Sequence, residues 1–334
     1  MELIIGMHVD DGIVCASGQE VYEKFINDLL TDFVLSSHGV LGWYLGCKIL
    51  QNLQEGTVTI NQEKYANDVL NRFNMHEAKP VSTPCEAGLH LTGDDYPIKD
   101  ERDPEVIRNY QACVGSLMYL SVLTRGDCSF AIDQTARFLN NPGPTHISAV
   151  KRILRYIAGT ASLGLTYSQV KPGEEANKLT ASADTDHAGA DDRRSVSGWC
   201  VILNGVMISW VCKHQPVTSI SSTESEFYSV SQCVVECVYL CRLMEQLGYQ
   251  QNTPTPITQD NMDWIFLTQG VRMYHKAKHI DTRVYKVREL SSGERPEVKL
   301  WKIDGSDQPS DLFTKALPRV SFEHHSGSIM GRIE

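Results

Sequence analysis

The sequence lacks any run approaching the ~20 consecutive apolar residues that a membrane-spanning helix needs, so nothing in it points to a helical membrane protein. Its opening, MELIIGMHVDD, has neither a basic leader nor a small-residue cleavage site and does not read as a signal peptide. It reads instead as a strand that starts abruptly, as a fragment would. The ten cysteines include no Cys-x-x-Cys pair and no Cys/His spacing of the kind that holds zinc. The nearest approach to a cluster, Cys233, Cys237 and Cys241, repeats every four residues, which lines them along one helix face as core packing. A reducing compartment is therefore the default. Excess positive charge is missing too: the formal net charge is −10. Residues 1–104, with 17 acidic and 7 basic side chains, carry all of that imbalance, and the remaining 230 residues are neutral. Within that neutral part Lys151, Arg152 and Arg155 cluster, as do Lys276, Lys278, Arg283, Lys286 and Arg288. Such patches suit a phosphate backbone but equally a solvated helix face.

What is present is a succession of short elements. LIIGMHV and IVCAS flank Asp10-Asp11-Gly12 and predict a hairpin with two carboxylates at its tip. An amphipathic helix follows from Gln19, then a second hairpin around the turn NLQEG, then a helix in NQEKYANDVLNRFN. Residues 79–104 are rich in Pro, Gly, Thr and Asp without periodicity and read as an extended linker. Helical patterns return in NYQACVGSLMYLSVL, SFAIDQTARFL and THISAVKRILRYIAG. From Lys178 the rhythm changes to three successive strands and a long helix opening at Ser221-Ser222-Thr223 and stopping at Gly248. A strand PITQD, a helix from Asn261, a helix in HIDTRVYKVREL, a strand EVKLWKI and a final helix in QPSDLFTKAL complete the pattern, which describes a mixed α/β fold.

Four acids sit at element ends in this second half: Asp184 closing the first strand, Glu226 one turn into the long helix, Asp260 ending the fourth strand, and Asp311 opening the last helix. Taken singly, Asp184 and Asp260 read equally as strand-end turn formers, and Glu226 and Asp311 as residues favoured near helix N-termini. Carboxylates distant in sequence and gathered at element ends also suit a pair of divalent ions, which need several hard oxygen ligands. Spacing alone leaves both readings open.

The run from Ala181 to Glu236 resembles the ribonuclease H domain of copia-type retrotransposons. It resembles that family's Asp-x-Asp-Trp-Ala-Gly element with His187 in place of Trp, its Asp-Arg-x-Ser-x-Ser-Gly element and its Ser-Ser-Thr-Glu-x-Glu-Tyr element. QDN at 259–261, KHID at 278–281 and the SDLFTKAL run ending at Leu317 match in the same order. In the first half, HVDDG resembles the Tyr-x-Asp-Asp hairpin of reverse transcriptases, with His8 in place of Tyr, and Trp43-Tyr44-Leu45-Gly46 stands where the family has a primer-gripping hairpin. Gly126 stands where the family has Pro in a Thr-Arg-Pro-Asp element.

The resemblance implies a truncated reverse transcriptase palm and thumb over 1–78, the linker 79–104, a helical connection region over 105–170, a ribonuclease H-like five-stranded mixed sheet with flanking helices over 178–318, and a tail over 319–334. It implies cleavage of the RNA strand of RNA–DNA hybrids with two Mg2+ ions, Mn2+ being an alternative. The ligands and catalytic carboxylates would be Asp184, Glu226, Asp260 and Asp311, with Asp186 auxiliary. A water activated at one ion would attack the phosphorus while the other ion stabilises the leaving 3′ oxygen. Asp10 and Asp11 would form a degenerate polymerase site, because the family's other palm carboxylate lies far upstream of this hairpin; no DNA synthesis is expected from this chain alone. The missing sheet partner predicts poor folding of the first ~75 residues. Partners would be a hybrid duplex or other nucleic acid and the upstream polymerase segment, in an intracellular setting, either a cytoplasmic retrotransposon particle or the nucleus. The competing expectations are a catalytically inactive relic that binds nucleic acid, and a resolvase or integrase on the same fold. His279 and Asp281 belong to the family pattern without an assignable role.

Overall fold

The computed structural model describes residues 2–97, 102–171, 173, 175–189, 193–261 and 278–331, with side chains in the last stretch from Arg283. The opening hairpin forms as the sequence predicts: β1 (Leu3–His8) pairs antiparallel with β2 (Asp11–Ala16), His8 opposite Asp11. It is a two-stranded sheet of its own, followed by α1 (Gln19–Leu30), which buries none of its residues.

A four-stranded antiparallel sheet follows in the order β3 (Trp43–Tyr44), β4 (Cys47–Asn52), β5 (Thr57–Asn61), β6 (Gly164–Ser168). The fourth strand arrives more than a hundred residues later in the chain and pairs along all of β5, from Thr57 opposite Ser168 to Asn61 opposite Gly164. With α2 (Glu63–Arg72), whose Ala66, Val69 and Leu70 are buried, this ties residues 47–72 into the body of the molecule. The expectation of poor folding across the first ~75 residues is therefore corrected for this stretch: the hairpin edge is covered by a strand from the connection region.

The connection is helical: α3 (Pro104–Leu123), α4 (Ser129–Ala136) and α5 (Pro144–Gly159). Asp103 caps α3, its carboxylate accepting from the Glu105 amide, and Pro104 takes the first helical position, where a missing N–H costs nothing. Between α3 and α4 lies a buried ion pair, Arg125 Nε to Asp127 Oδ1 at 3.0 Å, both side chains at most 1% exposed. Thr160 and the Tyr156 hydroxyl complete its hydrogen bonds, as a buried charge pair requires.

The second sheet runs β11 (Val298–Lys302), β10 (Thr255–Gln259), β7 (Leu179–Asp186), β8 (Val196–Leu203), β9 (Val206–His214). The three sequential strands are antiparallel, and β7, β10 and β11 are parallel. This is the mixed five-stranded, ribonuclease H-like sheet expected above. Its faces alternate as pleating demands. Ala181, Ala183, Trp199 and Val201 pack on α6 (Ser222–Gln246) and α7 (Lys278–Ser292) in one core with Cys233 and Cys237, while Cys200 and Met207 pack on the connection helices in another.

Two local expectations fail. QPSDLFTKAL is not an α-helix: Pro309–Phe313 is a short 3-10 turn, held because the Ser310 hydroxyl lies 2.8 Å from that of Ser182 and Gln308 donates to the Ala183 carbonyl at 2.7 Å. The stretch read as a tail contains α8 (Arg319–Met330), which buries Phe322, Ile329 and Met330 in the connection-side core. The helix expected from Asn261 falls on 262–277, outside the described residues.

Candidate active site

Asp184 lies two residues from the C-terminal end of β7, the central strand of the sheet, opposite Gly198 of β8, and it is 2% exposed. Glu226 lies one turn into α6 and is 7% exposed. The helix starts there because the Ser221 hydroxyl accepts from the Glu224 amide at 3.2 Å and the Glu224 carboxylate accepts from the Ile220 amide at 2.8 Å, a reciprocal capping arrangement. Glu224 is thereby spent on the cap, away from the site. Asp260 follows β10 directly. Each of Asp184, Glu226 and Asp260 offers a carboxylate oxygen, and these oxygens lie within 4.8 Å of one another. Among the described residues this is the only such gathering of three or more His, Cys, Asp or Glu.

Asp311 reaches the same place by another route. Its Oδ1 lies 2.7 Å from Lys315 Nζ, and the same ammonium lies 3.3 Å from Asp184 Oδ2. The Thr314 hydroxyl also donates to Asp184 Oδ2, at 2.5 Å, and the Gln259 amide donates to Glu226. These partners fix the carboxylates before any ligand arrives. One motif glycine is a steric necessity here. A Cβ on Gly198 would meet Phe313 Cβ at 2.7 Å and the Thr314 methyl at 2.6 Å, pushing away the turn that carries Asp311. A Cβ on Gly189 would meet only the Asp186 carboxylate, the free end of a side chain that can turn aside.

Crowding of like charges shows in the protonation equilibria. Burial, then the neighbouring Asp184 and Asp260, pushes Glu226 well above the usual carboxylate range. Burial and Asp184 raise Asp260, and the same two causes push Asp311 up to about 7 despite Lys315. Asp186 is raised by burial and Asp184, with His90, His187 and Lys315 pulling the other way. Burial works against the Lys315 ammonium, yet Asp184 and Asp311 more than offset it and hold its proton more tightly than usual. The donor set is entirely hard oxygen, four acids against one ammonium, which fits a divalent cation of the Mg2+ type.

The structure also shows what sequence reading passed over. Thr314 and Lys315 lay inside a recognised run but carried no role; His90, from the segment read as a linker, stands near enough to Asp186 to influence its charge. His187, where the family has Trp, sits between the hydroxyls of Ser195 (3.4 Å) and Ser225 (3.3 Å), so it ties the loop after β7 to α6. Asp10 and Asp11 are exposed at the tip of the first hairpin, at the turn formed by Val9 with φ 54°. They join no third carboxylate among the described residues. The side chains of His279 and Asp281 lie outside the described residues.

A family model described as reverse transcriptase (RNA-dependent DNA polymerase) matches residues 1–87. The chain is 34% identical over 323 residues to the retrovirus-related Pol polyprotein from transposon TNT 1-94 of Nicotiana tabacum, covering 96% of this chain and 24% of that protein. It is 33% identical over 328 residues to the Pol polyprotein from transposon RE2 of Arabidopsis thaliana, covering 97% and 21% respectively. The chain thus spans less than a quarter of the length of these relatives. Among solved structures it is similar to the LC11 ribonuclease H1 isolated from compost, at 13% identity and a TM-score of 0.33, over 41% of this chain and 93% of that one.

Proposed function

This chain belongs to the copia-type retrotransposon Pol polyproteins, joining the end of a reverse transcriptase to a ribonuclease H-like domain, and from that membership we propose that it cleaves the RNA strand of RNA–DNA hybrids. The observation that carries the proposal is the convergence of Asp184, Glu226 and Asp260 within 4.8 Å, with Asp311 joined to Asp184 through Lys315. Asp184, Glu226, Asp260 and Asp311 would hold divalent ions, Mg2+ or Mn2+, with Asp186 beside them. Such ions supply the charge that activates the attacking water and offsets the departing 3′ oxygen.

The chain's own residues set the stage for that chemistry. Thr314 and Gln259 orient Asp184 and Glu226 by donating to one oxygen of each, leaving the other lone pairs for ligands. The short turn Pro309–Phe313, pinned to β7 through Ser182 and Gln308, presents Asp311 to the same space. Lys315, 40% exposed, is the cation through which an incoming phosphate would first feel a favourable charge. A hybrid would be read by its shape and 2′-hydroxyls rather than by sequence. Asp10 and Asp11, exposed and joined by no third acid among the described residues, are proposed to support no DNA synthesis in this chain alone.

The test is incubation of the purified chain and its Asp184→Asn variant with a labelled RNA–DNA hybrid in Mg2+, with single-stranded RNA and duplex DNA as controls. Cleavage confined to the RNA strand of the hybrid and lost in the variant is expected. A folded protein that leaves the hybrid intact, or a variant that cuts equally well, refutes the proposal and leaves a nucleic-acid-binding relic in its place.

A further inference from the structure

One buried titratable group takes no part in the acidic cluster. His146 stands in the first turn of α5 and is 0% exposed. Both of its ring nitrogens are committed to backbone groups. The Gly143 amide donates to Nδ1 at 2.8 Å, and the Thr92 carbonyl lies 2.9 Å from Nε2. An amide N–H only donates and a carbonyl only accepts, so Nδ1 is bare and Nε2 carries the hydrogen. The neutral ring thus clamps the start of its own helix to a segment 54 residues earlier.

That segment, residues 91–96, lies across the N-terminus of α5 as a strap. Leu91 is buried, and its carbonyl accepts from Arg137 Nη1 at 3.5 Å. Gly93–Asp95 is a 3-10 turn opened by Thr92, whose hydroxyl accepts from the Asp94 amide at 3.3 Å. The Thr145 hydroxyl donates to the Asp95 carboxylate, and the Asp95 carbonyl passes so close over Gly143 that no Cβ would fit there. The Phe138 ring stacks on His146 with centroids 3.8 Å apart and planes 11° off parallel, and Tyr96 meets Phe138 edge-on at 5.9 Å. The strap pairs with no strand among the described residues, so these contacts are what fasten it.

A second proton on the ring has only Nδ1 to go to, where the Gly143 N–H already points. Two donors would then face each other, and an imidazolium stacked on Phe138 would have lost its water. Burial accordingly holds the imidazole below its ordinary range, against the Thr92 bond and the charge of Asp95, which favour the proton. Arg137, after α4, opposes the proton as well. Tyr96, with its ring centroid 6.0 Å away, is the other titratable group at the ring. The sign follows from that direction. With its folded value lowered, His146 stabilises the closed strap fully above the ordinary ~6.5 of a free imidazole, and the contribution is lost as pH falls below it.

We propose that His146 is a pH-released pin: neutral, it fastens residues 91–96 to the start of α5, and a proton on Nδ1 drives the ring out and frees the strap. The Thr92 carbonyl then loses its donor, the Gly143 amide its acceptor and Phe138 its stacked partner, all at one place. Behind the freed strap the chain stays attached where the Gly88 amide donates to the Ala316 carbonyl at 3.3 Å. The device uses neither nucleic acid nor a metal ion, so it stands or falls independently of the nuclease reading.

The test is amide hydrogen exchange on the full chain at pH 7.5 and pH 5, corrected for the intrinsic pH dependence of exchange. An exposed imidazole titrating at ~6.5 sets a ceiling of about thirtyfold on the opening between those values. Protection of the Gly143 and Tyr96 amides is expected to fall roughly tenfold, while the amides shared by β5 and β6 keep theirs. The acidic cluster takes up protons over the same range, so a variant must isolate the histidine. His146→Gln supplies an acceptor for the Gly143 amide and a donor for Thr92 in one group that does not titrate. Its strap should be equally protected at both pH values. Constant protection in the unaltered chain overturns the proposal, as does an equal loss in the Gln variant. Should the Gln variant not fold, imidazole 15N shifts on the unaltered chain decide. Nδ1 is expected to be bare at pH 7.5 and to gain its proton as the strap amides open. A strap that opens while Nδ1 stays bare, or a protonated ring under a closed strap, refutes the pin.

Discussion

Replacing Lys315 by Met should make the acidic cluster bind divalent ions more tightly, even though it removes a side chain from the site. The ammonium lies 2.7 Å from Asp311 Oδ1 and 3.3 Å from Asp184 Oδ2, so it occupies charge that an incoming cation would otherwise meet. Two unit charges 3.3 Å apart interact by about 5 kcal/mol at an effective dielectric of 20 and about 1.3 kcal/mol in water. Lys315 is 40% exposed, which places the screened value toward the lower figure, near 1.5 kcal/mol. Freed of that competition, the site should gain roughly tenfold in affinity for Mn2+ or Mg2+. Protonation cuts into this gain at neutral pH. Lys315 is what holds Asp311 down, and with the lysine present that carboxyl is already pushed up to about 7 by burial and by Asp184. Without the lysine it rises further, so the full gain should appear at pH 8.5 and shrink toward pH 6.5. Isothermal titration with Mn2+ at the two pH values, on the intact chain and on Lys315→Met, measures both effects. Unchanged or weaker affinity at pH 8.5 would show that the ammonium does not compete for the cation site, and the electrostatic account of the cluster would fall with it.

Metal-free protein should lose thermal stability as pH rises. Asp311 goes from the ordinary 3.8 to about 7 on folding, so between those values the folded chain holds the extra proton and stability falls with increasing pH. Glu226 and Asp260, raised by burial and by Asp184, act with the same sign. A melting temperature in EDTA that drops by several degrees between pH 5 and 8, and recovers on adding Mg2+, is the expected result; a flat profile contradicts the shared-charge picture. Asp127→Asn, remote from the acids, should cost about 3–5 kcal/mol in urea unfolding, because it leaves the Arg125 guanidinium buried without its counter-charge. A loss below about 1 kcal/mol would mean that Thr160 and Tyr156 suffice to hold the arginine.

Elements whose pattern is local were legible in the sequence. The alternation of β7, β8 and β9, the capped start of α6 and the two hairpins follow from period, turn residues and caps, and the motif order placed the acids on them. Features decided by distant partners were not. Nothing in GLTYS announces that it will pair with β5. QPSDLFTKAL has helical spacing, yet Ser310 is captured by Ser182 and Thr314 by Asp184, so the chain turns short of a helix. Residues 79–104 lack periodicity, yet the described part holds tertiary contacts: Leu91 is buried, the Thr92 carbonyl lies 2.9 Å from His146 Nε2, and His90 reaches the neighbourhood of Asp186. A weak period meant that the contacts are tertiary; it did not mean that they are absent.

The packing also bears on how the acids are held. Leu312 and Phe313, the residues after Asp311, are buried in the core that contains α3, α4 and α5, while Glu226 stands on the helix that covers the opposite face of the sheet. Asp184 lies between them on the sheet itself. The four carboxylates are thus fixed from two sides by two different cores, one of which is made largely of connection helices and of α2 from the polymerase-like segment. Gly198 is where the two meet, since the turn bearing Asp311 passes so close over β8 that a methyl group would displace it. The turn that carries Asp311 therefore rests on the connection helices through Leu312 and Phe313 and on the sheet through Ser310 and Thr314.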